Sequence, residues 1–155
     1  MTDNVPLNLA HPLGTLRVGS WSALQIPAST VRTAVFVHEQ GIDAALEWDE
    51  FDALSLHVVL LNQERQPMAT ARLLPAQAGV GTIGRVAVLQ PVRGLHAGVA
   101  VMEALIEQAR QRGDQALMLH AQQSAQGFYQ RLGFAVQGEP FDEVGIPHVT
   151  MVRPL

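Results

Sequence analysis

The segment most able to do chemistry is Gly84 to Met102, GRVAVLQPVRGLHAGVAVM. It reads as a strand, a proline-broken turn, and a helix whose first turn is glycine-rich and basic. A helix N-terminus leaves backbone N–H groups unpaired and carries partial positive charge. Gly94 and Gly98 remove side chains there, and Arg93 adds a full charge. Arg93, Gly94, Ala97 and Gly98 together have the make-up of an anion cradle suited to a pyrophosphate. Glycines needed only for packing a helix start would leave the same trace. A second reactive candidate is Tyr129, the only tyrosine in the chain. A phenol of reference pKa ~10 is protonated at neutral pH and can serve as a proton donor. Candidate proton acceptors are Glu39, Glu143, His57, His120 and His148. An amine must lose its proton before it can attack, and each of these groups could take it. Each could also be a satisfied structural residue.

The elements that must position these groups follow from pattern. Residues 1–14 carry two prolines and read as a loose leader. Residues 15–155 read as one domain. Leu16 to Trp21 alternates as a strand. Pro27 suits the first turn of a helix running to about Glu39, ended by Gly41. An acidic stretch follows, with Glu47, Asp49 and Asp52. It reads as a solvated loop or as a lure for a cationic acceptor. Ser55–Asn62 and Pro67–Leu74 form a hairpin, and Thr82–Leu89 is the next strand, with Gly84 as a bulge candidate. A long helix is expected from about Gly94 to Arg112, and a strand over Ala116–Ala121. A short helix follows over Ser124–Leu132, then strands at Phe134–Gln137 and His148–Arg153. The order βα–βββ–α–β–α–ββ mixes hairpins with crossover helices. It predicts an α/β (mixed α+β) domain with a mixed sheet flanked by helices.

Composition bounds the function. The chain has 155 residues, nearly half apolar and 15% charged, which suits one compact domain. The net charge of −4 supplies no global field for nucleic acid, so a polyanion would need a local site. The absence of cysteine excludes a disulfide framework, a thiolate metal site and a thiol nucleophile. No signal peptide and no run of membrane-spanning length is read, which makes the cytoplasm the expected compartment. His38, Glu39, Asp52, His57 and His148 could in principle ligate a metal, but none forms a local ligand pair, and no metal is expected.

The run RVAVLQPVRGLHAG resembles the acetyl-coenzyme A motif of the GNAT superfamily of N-acetyltransferases, an Arg/Gln-x-x-Gly-x-Gly/Ala turn after a strand. Arg93 and Gly98 match its ends. His96 stands at its central glycine and must turn outward or contact phosphate. The resemblance implies backbone hydrogen bonds from Val86, Ala87 and Val88 to the pantetheine. LHAQQSAQGFYQRLGF resembles the family's second motif, in which Gln122 replaces an asparagine, Phe128 lies beside the cofactor, and Tyr129 is the acid for the departing thiolate. RTAVFVHEQGID and FDEVGIPHVTM are similar to the ElaA-like and YjcF-like branch. The resemblance implies a mostly antiparallel twisted sheet of six to seven strands with about four helices. It also implies acetyl-CoA as cosubstrate, no metal, and direct transfer to an amine of a small molecule or peptide. A homodimer is left open. The acceptor pocket is expected at 32–52 and 141–148, with Glu39, Glu143 or His148 handling the proton. The rival reading is a non-catalytic acyl-CoA-binding module.

Overall fold

The computed structural model describes residues 5–155. Strand β1 (Leu7–His11) pairs antiparallel with β2 (Gly14–Gly19). The expected loose leader is therefore in part an edge strand. Leu7 and Leu9 are exposed, so ladder hydrogen bonds rather than burial hold it, and hydropathy carried no sign of it. Helix α1 (Trp21–Arg32) starts six residues before the expected Pro27, because the Ser20 hydroxyl caps it by accepting from Ala23 N–H. Pro27 lies inside this helix. The chain then widens into a π-helical segment, Thr33–Glu39, closed by Gln40 N–H donating to the Val35 carbonyl at 3.0 Å. A short helix α2 (Ala44–Glu47) and a 3₁₀ turn (Asp52–Leu54) lead to β3 (Leu56–Leu61).

Strands β4 (Pro67–Leu73) and β5 (Val80–Val88) continue the meander. Helix α3 (Ala97–Arg112) begins later than the expected Gly94. Gly94 and His96 have φ of +84° and +66°, which no right-handed helix accepts. Strand β6 (Ala116–Gln122), a 3₁₀ turn, helix α4 (Gln126–Arg131), and strands β7 (Ala135–Val136), β8 (Phe141–Glu143) and β9 (Ile146–Pro154) complete the chain. The nine strands of the described residues run in the order β1-β2-β3-β4-β5-β6-β9-β7, with β8 on β9. The two beyond the expected six to seven are β1 and β8. Among the described residues every strand pairing is antiparallel except β5 with β6.

The sheet separates two apolar layers. On one face α3 buries Val101, Met102, Leu105 and Ile106 against Val58, Leu60, Leu73, Ile83 and Leu117, with Tyr129 and Phe134 at the margin. On the other, α1 seats Leu24 and Ala28 on Val59, and Val31, Val35 and Phe36 surround Ala87. No helix of the described residues is long and apolar enough to cross a membrane.

Candidate active site

The parallel contact between β5 and β6 lasts only from Val80↔Ala116 to Ile83↔Leu119. Beyond it, His120 to Gln122 stay paired with β9, while Ala87 and Val88 stay paired with β4. A V therefore opens between the two halves of the sheet. Its cause is a bulge. Arg72 faces Gly84 and Thr70 faces Ala87, so Arg85 and Val86 together oppose the single Ala71. Arg85 takes φ +53°, and the extra residue bends β5 away from β6. The bulge lies one residue past the expected Gly84.

Alternation along β5 decides what faces the V. Leu89 N–H donates to Met68 on β4, so the preceding Val88 turns its polar groups the other way. Arg93 Nε and Nη2 reach the Val88 carbonyl from that side at 3.1 and 2.9 Å. Ala87 instead faces Thr70 in the ladder, and its methyl group packs on Val31, Val35 and Phe36. The side chains of Val86 and Val88 lean on the core beneath α3.

At the mouth of the V, α3 begins with bare amides. Its first backbone bond is Ala100 N–H to the His96 carbonyl, so the N–H groups of Ala97, Gly98 and Val99 lie outside the ladder, and no side chain caps them. Gly94 is open, with nothing within 4 Å of a would-be Cβ. Gly98 also has a packing use. A Cβ there would lie 3.1 Å from the Phe128 ring and 3.4 Å from Val88, so this glycine lets α3 and α4 close together. Ala97 is likewise buried. The His96 side chain is exposed.

Tyr129 lies in α4, nearly buried, edge-on to Phe128 and Phe134 with centroids 5.0 and 6.2 Å away. Burial pushes its hydroxyl far above the ordinary tyrosine range, so the proton stays on. Gln122, at the end of β6, donates to the Gln40 side chain at 3.0 Å.

The candidate proton acceptors fall into three places. Glu39 is bound by Arg93, Nη1 to Oε2 and Nη2 to Oε1, both 2.6 Å. That hydrogen bonding holds its carboxyl below the ordinary value and makes it a poor base. Glu143, His120 and His148 converge where β8 and β9 meet β6. Glu143 Oε1 accepts from His120 Nδ1 at 2.9 Å, and its Oε2 lies 3.8 Å from His148 Nε2. Phe141 stacks on His148 and takes His120 edge-on. His57 is elsewhere, buried with Nε2 at 2.9 Å from the Asp52 carbonyl oxygen and its ring on Trp21.

The acidic stretch is neither a solvated loop nor a free cation lure. Glu47 and Asp52 are buried, and the protein's own arginines neutralise all three carboxylates. Arg32 donates to Glu47 at 2.7 Å and Asp52 at 2.8 Å, with Trp21 and Trp48 against its guanidinium. Arg72 grips Asp49 and Asp52, and Arg85 at the bulge reaches Asp49 at 3.0 Å. Burial works against the Asp52 charge, but Arg32 and Arg72 outweigh it and hold the carboxyl low. Arg32, Arg72 and Arg85 were absent from the sequence-based candidates. For Arg72 and Arg85 a charge inside an otherwise apolar strand was the available signal, since such a charge needs a partner, whereas Arg32 sits in α1 and carried no such sign. Among the described residues no three His, Asp or Glu side chains form a group that could hold a metal.

A splayed β5–β6 pair, a bulge on β5 and an uncapped helix at the opening form one recognisable arrangement. The family description "Acetyltransferase (GNAT) domain" matches residues 25–155. The chain belongs to the GNAT acetyltransferase family. It is 36% identical to the uncharacterized N-acetyltransferase YjcF of Bacillus subtilis over 124 residues, 79% of this chain and 87% of YjcF. Escherichia coli ElaA is 32% identical over 127 residues, 79% of this chain and 82% of ElaA. The ElaA crystal structure superposes with a TM-score of 0.79, covering 89% of this chain and 98% of ElaA. A Pseudomonas aeruginosa acyl-CoA N-acyltransferase gives the same TM-score at 30% identity, covering 89% of this chain and 98% of that one. The GNAT chain is thus an acyltransferase of the ElaA- and YjcF-like branch, with the mixed α/β fold of acyl-CoA N-acyltransferases.

Proposed function

We propose that this acyltransferase moves an acetyl group from acetyl-coenzyme A directly to a primary amine of a small molecule or peptide. The observation that carries this is the V. Val88 turns its polar backbone groups into it, and the bare amides of Ala97, Gly98 and Val99 stand at its mouth. An extended amide-containing arm fits the strand edge, and a pyrophosphate fits amides with Gly94 open beside them. Arg93 adds charge to that cradle, His96 borders it from outside, and Gln122 and Phe128 flank the arm.

The cosubstrate supplies a thioester-activated acyl group. His148 is the residue to accept the amine proton. Its Nδ1–H donates to the Ile146 carbonyl at 2.7 Å, so the neutral ring presents a bare Nε2. A proton arriving there faces Glu143, whose other oxygen is held by His120. Glu143 thus stands beside the nitrogen that takes the proton. Tyr129 is the proton donor to the departing thiolate. The dry surroundings that keep its hydroxyl protonated also make a thiolate beside it more basic. A pure binding module has no use for such a donor, which favours catalysis over the non-catalytic reading.

The test is thiol release from acetyl-coenzyme A with a panel of primary amines, alongside calorimetry with coenzyme A. Tyr129→Phe keeps the ring and is expected to lower kcat by about 10²–10⁴-fold with coenzyme A affinity and Tm unchanged. Wild-type turnover in that variant, with chemistry rate-limiting, would remove the acid role. Coenzyme A binding with no thiol release from any amine would instead favour the binding module.

A further inference from the structure

Arg93 directs its side-chain hydrogen bonds to two acceptors at the site. Nη1 and Nη2 each meet one oxygen of Glu39 at 2.6 Å, and Nε and Nη2 meet the Val88 carbonyl at 3.1 and 2.9 Å. The two acceptors matter for different reasons. Val88 is the strand residue whose polar groups face the V. Glu39 offers two anionic oxygens to a guanidinium fork, the pattern that a phosphate also offers. The next residue, Gln40, bonds Gln122 on the opposite arm. The end of the π-helical segment is therefore tied to both sides of the opening, by Glu39 to the β5 side and by Gln40 to the β6 side.

We propose that Glu39 stands in for the pyrophosphate in the resting enzyme, and that Arg93 exchanges Glu39 for the pyrophosphate when coenzyme A binds. The proposal rests on the cradle assigned above. The exchange uncovers the Val88 carbonyl and releases Glu39 as a free carboxylate beside the acceptor side. The strength of the pair suits a stand-in. Its side chains are 41% and 36% exposed, so water and salt screen it and it adds little to stability. A pyrophosphate carries more charge and gains the α3 amides as well.

The experiment is a double-mutant cycle read by calorimetry with coenzyme A. Arg93→Gln is expected to weaken binding. Glu39→Ala is expected to tighten it by roughly two- to fivefold, the range of a screened surface pair, and Glu39→Gln to fall between wild type and Glu39→Ala. In the Arg93→Gln background, Glu39→Ala is expected to have no effect, because its competitor role has gone. If Glu39→Ala leaves affinity unchanged or lowers it in a folded variant, the exchange is refuted. If the tightening persists undiminished without Arg93, Glu39 merely repels the polyanion, and the exchange is again refuted. If Arg93→Gln itself binds as wild type, the cradle is misplaced and the exchange falls with it.

Discussion

His96 shows how one residue can depart from a motif without changing its path. A glycine in this turn would supply a left-handed conformation, and His96 adopts that conformation with φ +66°. A side chain there costs about 1–2 kcal/mol of strain. Its ring is exposed, so little packing offsets the cost. His96→Gly relieves the strain but gives the unfolded chain more freedom, about 0.5–1 kcal/mol. The expected result is a Tm held or slightly raised, with a modest change in coenzyme A affinity. A large fall in Tm by calorimetry would make the imidazole a packing element. Glu39 teaches the opposite lesson at the same scale. Its position at the end of the first helical stretch suggests a base, and its bidentate arginine denies it that role until the arginine leaves.

At the scale of elements, the site depends on how closely α3 approaches α4. Gly98 sits under Phe128, and even one added carbon would need the ring to give by a few tenths of an ångström. Gly98→Val adds two more, branched at the point of contact. Overpacking of this kind costs about 1–3 kcal/mol, which for a chain of this size lowers Tm by several degrees. Phe128→Leu in the same chain should recover part of the loss. Unchanged melting of Gly98→Val would mean that α4 moves freely, and that the Tyr129 hydroxyl is not held in place by this contact. The bulge at Arg85–Val86 is the other positioning device. It ends the β5–β6 pairing and creates the V.

A largely buried polar centre links α1, the α2 segment and strands β3 to β5. Arg32, Arg72 and Arg85 meet Glu47, Asp49 and Asp52, and His57 closes the group against the Asp52 carbonyl oxygen. Such a centre adds little net stability when intact, yet losing one partner strands a charge. It also makes stability depend on pH. Burial lowers the His57 pKa below the ordinary value of about 6.5. Between the lowered and the ordinary value the unfolded chain binds more protons, so stability rises with pH there. The contribution is complete above about pH 6.5 and is lost as pH falls toward the folded-state value. Melting curves should therefore drop in Tm just below about pH 6.5, with Glu47, whose carboxyl burial raises above its ordinary value, opposing the fall at lower pH. His57→Gln should flatten that part of the profile. An unaltered slope in the variant would place the proton uptake on another group.

The sequence alone determined whatever is local. Hydrophobic period located α3 and the strands β3 to β6, because each must bury one face. The run from Arg93 to Gly98 pointed to an anion cradle, since free helix amides follow from a helix start. The family, too, was legible in ordered motifs. Only the tertiary structure decided the partners. Glu39 and Arg93 lie 54 residues apart, Arg85 and Asp49 36 apart, and His120 and Glu143 23 apart. No periodicity links residues at such separations. The strand β1 escaped notice for a related reason, since ladder bonds to β2 hold it and its side chains stay exposed. A carboxylate in a sequence can be a base, a solvated charge or an arginine's partner. The choice is electrostatic, and it depends on which cation the fold brings within 3 Å.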